Sequence, residues 1–413
     1  MPLVRPFKAL RPAPGRAAEI FAPPYDVLTT EEARARAAGK PWSFLHVSKP
    51  EIDLPPGTDP YAPAVYAKAT ENLARMISER VLVRDPTPGY YAYRLAVGGH
   101  VQTGVAGAAS IAAYEANRIR KHELTRPDKE DDRVRHMEAL NAQTGPVLAT
   151  YPDAPELDAL LTAVSQLPPD VDVVANDQVR HAIWPICDAG LVVRIGALFD
   201  AMPALYVADG HHRSAAASRV AAARRKANPR PTGEESYNSF LVVAVPQREL
   251  RILDYNRAVR DLGGMSVDAF LGKLRDRFAV APSAAPVKPE RHGEFGLYAG
   301  GQWHRLTLRP ELADPADPIA RLDVSLLTTH VLDPLLGIND MRTDKRIDFV
   351  GGGRGLADLE RRVASGEMAA GFSLYPTQFA DLMAVADAGE VMPPKSTWFE
   401  LKLADGLLSH VLD

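Results

Sequence analysis

A single cysteine, Cys187, stands in the 413 residues of this chain. No intramolecular disulfide can form, so stability has to come from burial, and such sparing use of cysteine suits a reducing cytoplasm. Cys187 follows Trp184-Pro185-Ile186 and is expected to be a buried, inert thiol. Long apolar runs are missing too. Nowhere do about 18 apolar residues follow one another, which argues against a membrane span. Met1 to Pro14 carry prolines and basic side chains but no apolar stretch of the signal-peptide kind. Positive charge is not in excess: 48 Lys and Arg face 52 Asp and Glu, a net charge of −4. No global field therefore recruits nucleic acid or an anionic membrane. A Walker-type glycine-lysine phosphate loop is absent as well. What is left is a cytoplasmic globular protein, long enough for two cores at the usual ~100–200 residues per domain.

One short stretch concentrates polar chemistry, Ala208-Asp209-Gly210-His211-His212-Arg213. The apolar run Ala204 to Val207 precedes it and reads as a short buried strand. Ser214 to Lys226, rich in Ala and Arg, follows and reads as a helix. The stretch is thus a strand-to-helix turn. Gly210 permits the tight bend, and the first N–H groups of the helix, with its dipole, make an anion site. His211, His212 and Arg213 add donors suited to phosphate, and Arg213 can grip two oxygens at once. Asp209 does not suit a plain anion hole; it has to bind a metal, accept a proton or orient His211. A lone Asp-Gly is ordinary turn chemistry. Four polar side chains on one turn point instead to a phosphate site with chemistry attached.

The rest of the chain alternates short strands and helices. A helix is expected at Pro63 to Arg80, and a hairpin from Gly89–Val97 and Val101–Ile111 through Gly98-Gly99-His100. Val134, Met137, Ala139 and Leu140 mark a helical face within Lys121 to Gln143. Ser266 caps a helix in which Phe270, Leu274 and Phe278 line one side. Hairpins mixed with crossovers imply an α+β, mixed α/β architecture. The Pro- and Ala-rich link Ala279 to Pro289 is the softest boundary, so a domain over residues 1–280 and a second over 290–413 are expected.

Lys121-His122-Glu123-Leu124-Thr125-Arg126 is the second site candidate, running on to Arg133. Dense charge of both signs is ordinarily a solvated helix face. Here, though, His122 and Glu123 stand between Lys121 and Arg126, offering a carboxylate base or Mg²⁺ ligand beside cations for phosphate oxygens. It is not a zinc-protease motif, because Arg126 occupies the position of the second His. Gly351-Gly352-Gly353-Arg354-Gly355 fails the dinucleotide fingerprint at Leu356 and reads as a flexible turn. Near the C-terminus, Lys395, Ser396 and Thr397 offer a cation and hydroxyls after the stiff Pro393-Pro394. Tyr25, Asp26 and His46 could each enter a pocket, a satisfied core Tyr or His being the plainer reading. Arg224-Arg225-Lys226 lacks interleaved aromatics and reads as a solvated helix end.

Ala22–Val27, Lys121–Arg133, Asn141–Pro146, Ala208–Arg213, Leu253–Arg257, Thr343–Phe349 and Met392–Phe399 occur in the order found in a bacterial family of about this length, catalogued as a domain of unknown function. The resemblance spans essentially the whole chain. The Asp-Gly-His-His-Arg turn is also similar to the phosphate-binding turn of the ParB/sulfiredoxin superfamily, whose members bind or hydrolyse CTP, phosphorylate a sulfinic acid, or phosphorylate free L-serine. The resemblance implies a ParB/sulfiredoxin-like core with a large additional C-terminal α/β region, its tail packing back toward the site. Gly210, His211, His212 and Arg213 would hold phosphates, with Lys121, His122, Thr125 and Arg133 in support. Asp209 and Glu123 would ligate metal or serve as base, with His211 beside them. Lys395, Ser396, Thr397, Tyr25 and Asp26 would bind the acceptor. Sulfiredoxins carry a reactive Cys where His211 stands, which argues against repair through a thiol intermediate, and the charge balance argues against a DNA-binding ParB role. The expected activity is phosphorylation of a small hydroxylated metabolite, free L-serine first, with ATP and Mg²⁺, in a chain able to form a homodimer. A nucleotide-binding switch responding to ATP or CTP, and a small-phosphoester phosphatase, are the alternatives.

Overall fold

Strands and helices alternate as the apolar periodicity predicts, and the class is mixed α/β. The computed structural model describes residues 2–313 and 316–413. They form two units, Met1–Leu250 with Leu401–Asp413, and Arg251–Glu400. This division differs from the expected one. Phe278–Ser283, at the start of the supposed link, is a strand paired antiparallel with Gln302–Leu308. It lies at a sheet edge, where Pro282 interrupts no ladder between two neighbours. The last residues, from Leu401, leave the second unit and rejoin the first.

The first unit is built on a nine-stranded mixed sheet. Its main path runs Ile119–Arg120, Leu205–Asp209, Val147–Tyr151, Ser239–Pro246, His100–Ser110, Tyr90–Val97, Arg180–Ile186, Val171–Val174. The expected hairpin is present, with Tyr90–Val97 antiparallel to His100–Ser110. Ile119–Arg120 and Leu205–Asp209 pair parallel. Parallel neighbours end at the same edge, so the segments that follow them, 121–126 and 210–213, leave the sheet side by side. Leu205, Val207, Tyr151, Phe199 and Phe240 are buried in one core beneath. A smaller sheet, ordered Leu82–Arg84, Ala9–Pro12, Ser409–Val411, Ala142–Gln143, sews the C-terminal strand between segments of the first unit.

The second unit holds a six-stranded sheet in which every recorded pairing is antiparallel. Ser266 caps Val267–Leu274 as expected, its hydroxyl accepting from the Ala269 N–H at 3.2 Å. The helix ends before Phe278, which opens the edge strand instead. Phe278 is fully buried there, and apolar spacing alone cannot tell a last helical turn from a first strand residue. Cys187 corrects another expectation. It lies one residue past the strand Arg180–Ile186 and is exposed. No helix among the described residues is long and apolar enough to cross a membrane.

Candidate functional site

Gly210, at φ +97°, caps the helix His211–Ala227, and no side chain occupies the cap. The first-turn N–H groups are therefore not consumed by a capping oxygen. A Cβ at Gly210 would meet Arg213 Nε at 2.9 Å, in a backbone region L-residues seldom adopt. Behind the turn, Ser214, Ala217 and Ala221 are buried, and their small side chains bring the helix close to the sheet.

The two polar segments meet in front of this helix. The Arg126 N–H donates to His212 Nε2 at 3.0 Å, and Glu123 Oε2 stands 3.7 Å from His211 Nδ1. The His122 and His211 rings pack edge to face with centroids 4.4 Å apart. One donor atom from each of His122, Glu123 and His211 lies within 4.8 Å of the other two. Burial pushes His122 down to about 4 and His211 well below its ordinary value, so both rings are neutral at pH 7. Glu123, with 42% of its side chain exposed, is the reachable carboxylate.

Asp209 has two cations beside it. Its Oδ2 lies 3.4 Å from Lys402 Nζ and 3.3 Å from an Arg213 nitrogen. Burial alone would raise this carboxyl, but Lys402 and Arg213 hold it well below the usual range. The expected metal pair of Asp209 and Glu123 is thus divided: the clustered donors are His122, Glu123 and His211, and Asp209 answers two cations. Arg213 also departs from expectation. It is only 6% exposed and donates to the Pro146 carbonyl and to Asp209, so its fork is not presented to a phosphate. Gly145 makes this possible, because a Cβ there would sit 3.3 Å from Arg213 Cδ and 3.2 Å from Asp405 Oδ1.

Tyr25, Ser48, Arg133, His136, Arg213 and Asp405 contribute to the wall of a cavity of about 20 Å³, room for a water or so. The Arg133 guanidinium lies 3.9 Å above the Tyr25 ring and pairs with Asp132 at 2.5 Å. Asp405 Oδ2 accepts from the Tyr25 N–H at 3.3 Å, while Oδ1 is buried without a hydrogen-bond partner. Burial pushes the Asp405 carboxyl up to about 7 against the opposing pull of Arg213. Asp26, beside Tyr25, is exposed.

Of the remaining candidates, the Lys121 ammonium sits 4.3 Å over the Tyr114 ring. Thr125 donates to Glu130 at 2.6 Å, fastening the start of the helix Pro127–Leu140. Lys395, Ser396 and Thr397 belong to the second unit. There the Ser396 hydroxyl donates to the Pro393 carbonyl at 2.6 Å, and the Lys395 carbonyl accepts from Arg257 at 2.9 Å. Lys402 and Asp405 are functional candidates that motif reasoning passed over. Their signal was present: they are the charged residues within the otherwise apolar run Leu401 to Leu408, and charge embedded in such a run marks a buried, paired group.

A mixed α/β protein with an open helix N-terminus beside a His-Glu-His cluster is the class that these features define. The chain belongs to the family described as "Protein of unknown function (DUF1015)", which matches residues 4–325. Similar solved structures include a free serine kinase in complex with AMP, at 13% identity and TM-score 0.36, covering 73% of this chain and 92% of that one. SbnI with C-terminal truncation, from Staphylococcus aureus, is 10% identical with TM-score 0.38, covering 73% and 85%. A conserved hypothetical protein from Pyrococcus furiosus is 14% identical with TM-score 0.35, covering 73% and 95%. No curated protein matches the chain.

Proposed function

We propose that this protein is an ATP-dependent kinase of a small hydroxylated metabolite, with free L-serine the first candidate acceptor. The supporting observation is the convergence of segment 121–126 with the turn 209–213, joined by the Arg126–His212 bond and the approach of Glu123 to His211. Phosphoryl transfer asks little covalent chemistry of a protein; it asks for placed positive charge and a base at the acceptor. The open N-terminus of His211–Ala227 offers N–H donors to phosphate oxygens. Lys121 is exposed and adds a cation, its ammonium lying over the Tyr114 ring. Glu123 accepts the acceptor's hydroxyl proton on its carboxylate. Asp209 stays ionised and keeps Lys402 and Arg213 charged and in place, a positioning role. A nucleotide bound with Mg²⁺ would supply the phosphoryl group and offset charge on its oxygens. Mg²⁺ keeps several waters and binds largely through substrate phosphates, so it would arrive with the nucleotide and leave the Glu123 carboxylate to the proton.

The test is incubation of the full chain with ATP, Mg²⁺ and a panel of hydroxy-metabolites including L-serine, following ADP and phosphorylated products by mass spectrometry. A product that appears with one acceptor is the expected result. Nucleotide binding without acceptor-dependent turnover would replace this reading with the switch, and phosphate release from phosphoserine without nucleotide would replace it with the phosphatase.

A further inference from the structure

His122, Glu123 and His211 come from two segments and place their donor atoms within 4.8 Å of one another. The imidazoles are 1% and 3% exposed, fixed by the sheet edge and the first turn of the helix. The His122 ring interacts with the backbone of Val207 in the adjoining strand, the kind of outer contact that orients a ligating imidazole. Two imidazoles and a carboxylate make a poor cage for Mg²⁺, which prefers oxygen, and a good one for Zn²⁺, Co²⁺ or Fe²⁺. Three protein ligands also leave a position open for water or substrate.

We propose that His122, Glu123 and His211 form a binding site for a divalent transition metal. Zinc–ligand distances of about 2.0–2.1 Å put tetrahedral donors roughly 3.3 Å apart. The Glu123 Oε2–His211 Nδ1 separation of 3.7 Å is near that value, and the other separations, at most 4.8 Å, shorten when the ion is bound. A metal at this site takes the carboxylate lone pair that the acceptor's proton needs. Zinc occupancy and phosphoryl transfer therefore exclude each other; this second consequence rests on the kinase reading, whereas the metal site does not.

The test uses chelator-stripped full-length protein without nucleotide, titrated with Co²⁺ by visible absorption and with Zn²⁺ in competition. One Co²⁺ per chain, displaced by Zn²⁺, is expected. Affinity should fall by more than roughly tenfold in both Glu123→Gln and His122→Gln, since even outer contacts are commonly worth 10–100-fold. Glu123→Gln lies on an exposed loop and keeps the test valid if the buried histidine variant misfolds. Binding that is substoichiometric, or equal in wild type and Glu123→Gln, overturns the site. In the ATP assay, equimolar Zn²⁺ should suppress turnover at least tenfold, reversibly with chelator; undiminished turnover with the site filled overturns the mutual exclusion. A metal-binding chain without acceptor-dependent turnover would sink the kinase and leave the metal site standing, and the reverse outcome would do the opposite.

Discussion

Arg213 shows how far a motif can be read one residue at a time. The sequence identifies the turn, the glycine and the cation, and the chemistry of a guanidinium suggests a phosphate grip. Its direction depends on the Pro146 carbonyl and Asp209, which the fold brings to it, and no local spacing encodes that. Asp209 and Glu123 stand out in the sequence as the acids of the two polar segments, but the partners that the fold gives each of them do not. Lys402, 193 residues away from Asp209, is one of those partners. Arg213 should therefore matter to stability more than to ligand affinity. Arg213→Leu is expected to cost about 3–5 kcal/mol, the usual loss when one partner of a buried ion pair is removed, read as a lower urea midpoint. Arg213→Lys should recover only part of it, because an ammonium cannot serve both acceptors in the same plane. A variant with wild-type stability and weakened nucleotide binding would return Arg213 to the phosphate role.

Whole elements were easier to read. Hairpins, helix caps and the strand-to-helix turn follow from local rules, whereas Phe278 was misplaced because burial looks alike in both settings. Pairing was the illegible part: nothing in Ile119-Arg120 announces that it lies parallel to Leu205–Asp209. The bond from Arg126 to His212 helps to fasten the loop after that strand. His212→Ala should speed amide exchange in residues 121–126 at least severalfold while the global melting curve holds; unchanged exchange there would mean the loop is held by other contacts. In the second unit, His292 bonds Asp323 at 2.6 Å and lies 3.3 Å from Asp381, each in the first turn of a helix. The Asp323 and Asp381 bonds raise His292 from 6.5 to about 10. A group whose folded value is raised stabilises fully below its unfolded value and loses that contribution as pH climbs to the folded one. Unfolding of wild type should thus grow easier between pH 6.5 and 10, and His292→Gln should flatten that slope. Parallel pH profiles for the two proteins would contradict the assignment.

At the scale of the molecule, the sequence offered a division near residue 280 because proline and alanine look like linker, and the edge strand accepts them instead. The C-terminal return was hidden for a different reason. Leu403, Ala404, Leu407, Leu408 and Leu412 are buried, and Ser409–Val411 pairs with Ala9–Pro12 and Ala142–Gln143, contacts of very long sequence separation. Deleting 401–413 removes that strand together with Lys402 and Asp405. The truncated chain should lose its cooperative near-ultraviolet melting transition, and retention of a native-like transition would show the tail to be dispensable. The central claim is that segments 121–126 and 209–213 make one phosphoryl-transfer site with Glu123 as its base. The most direct measurement compares wild type and Glu123→Gln for ATP binding by calorimetry and for acceptor-dependent ADP formation. Turnover falling by roughly 10²-fold or more with ATP affinity preserved is the predicted result, the scale of a lost general base. Equal turnover in the two proteins would contradict the account.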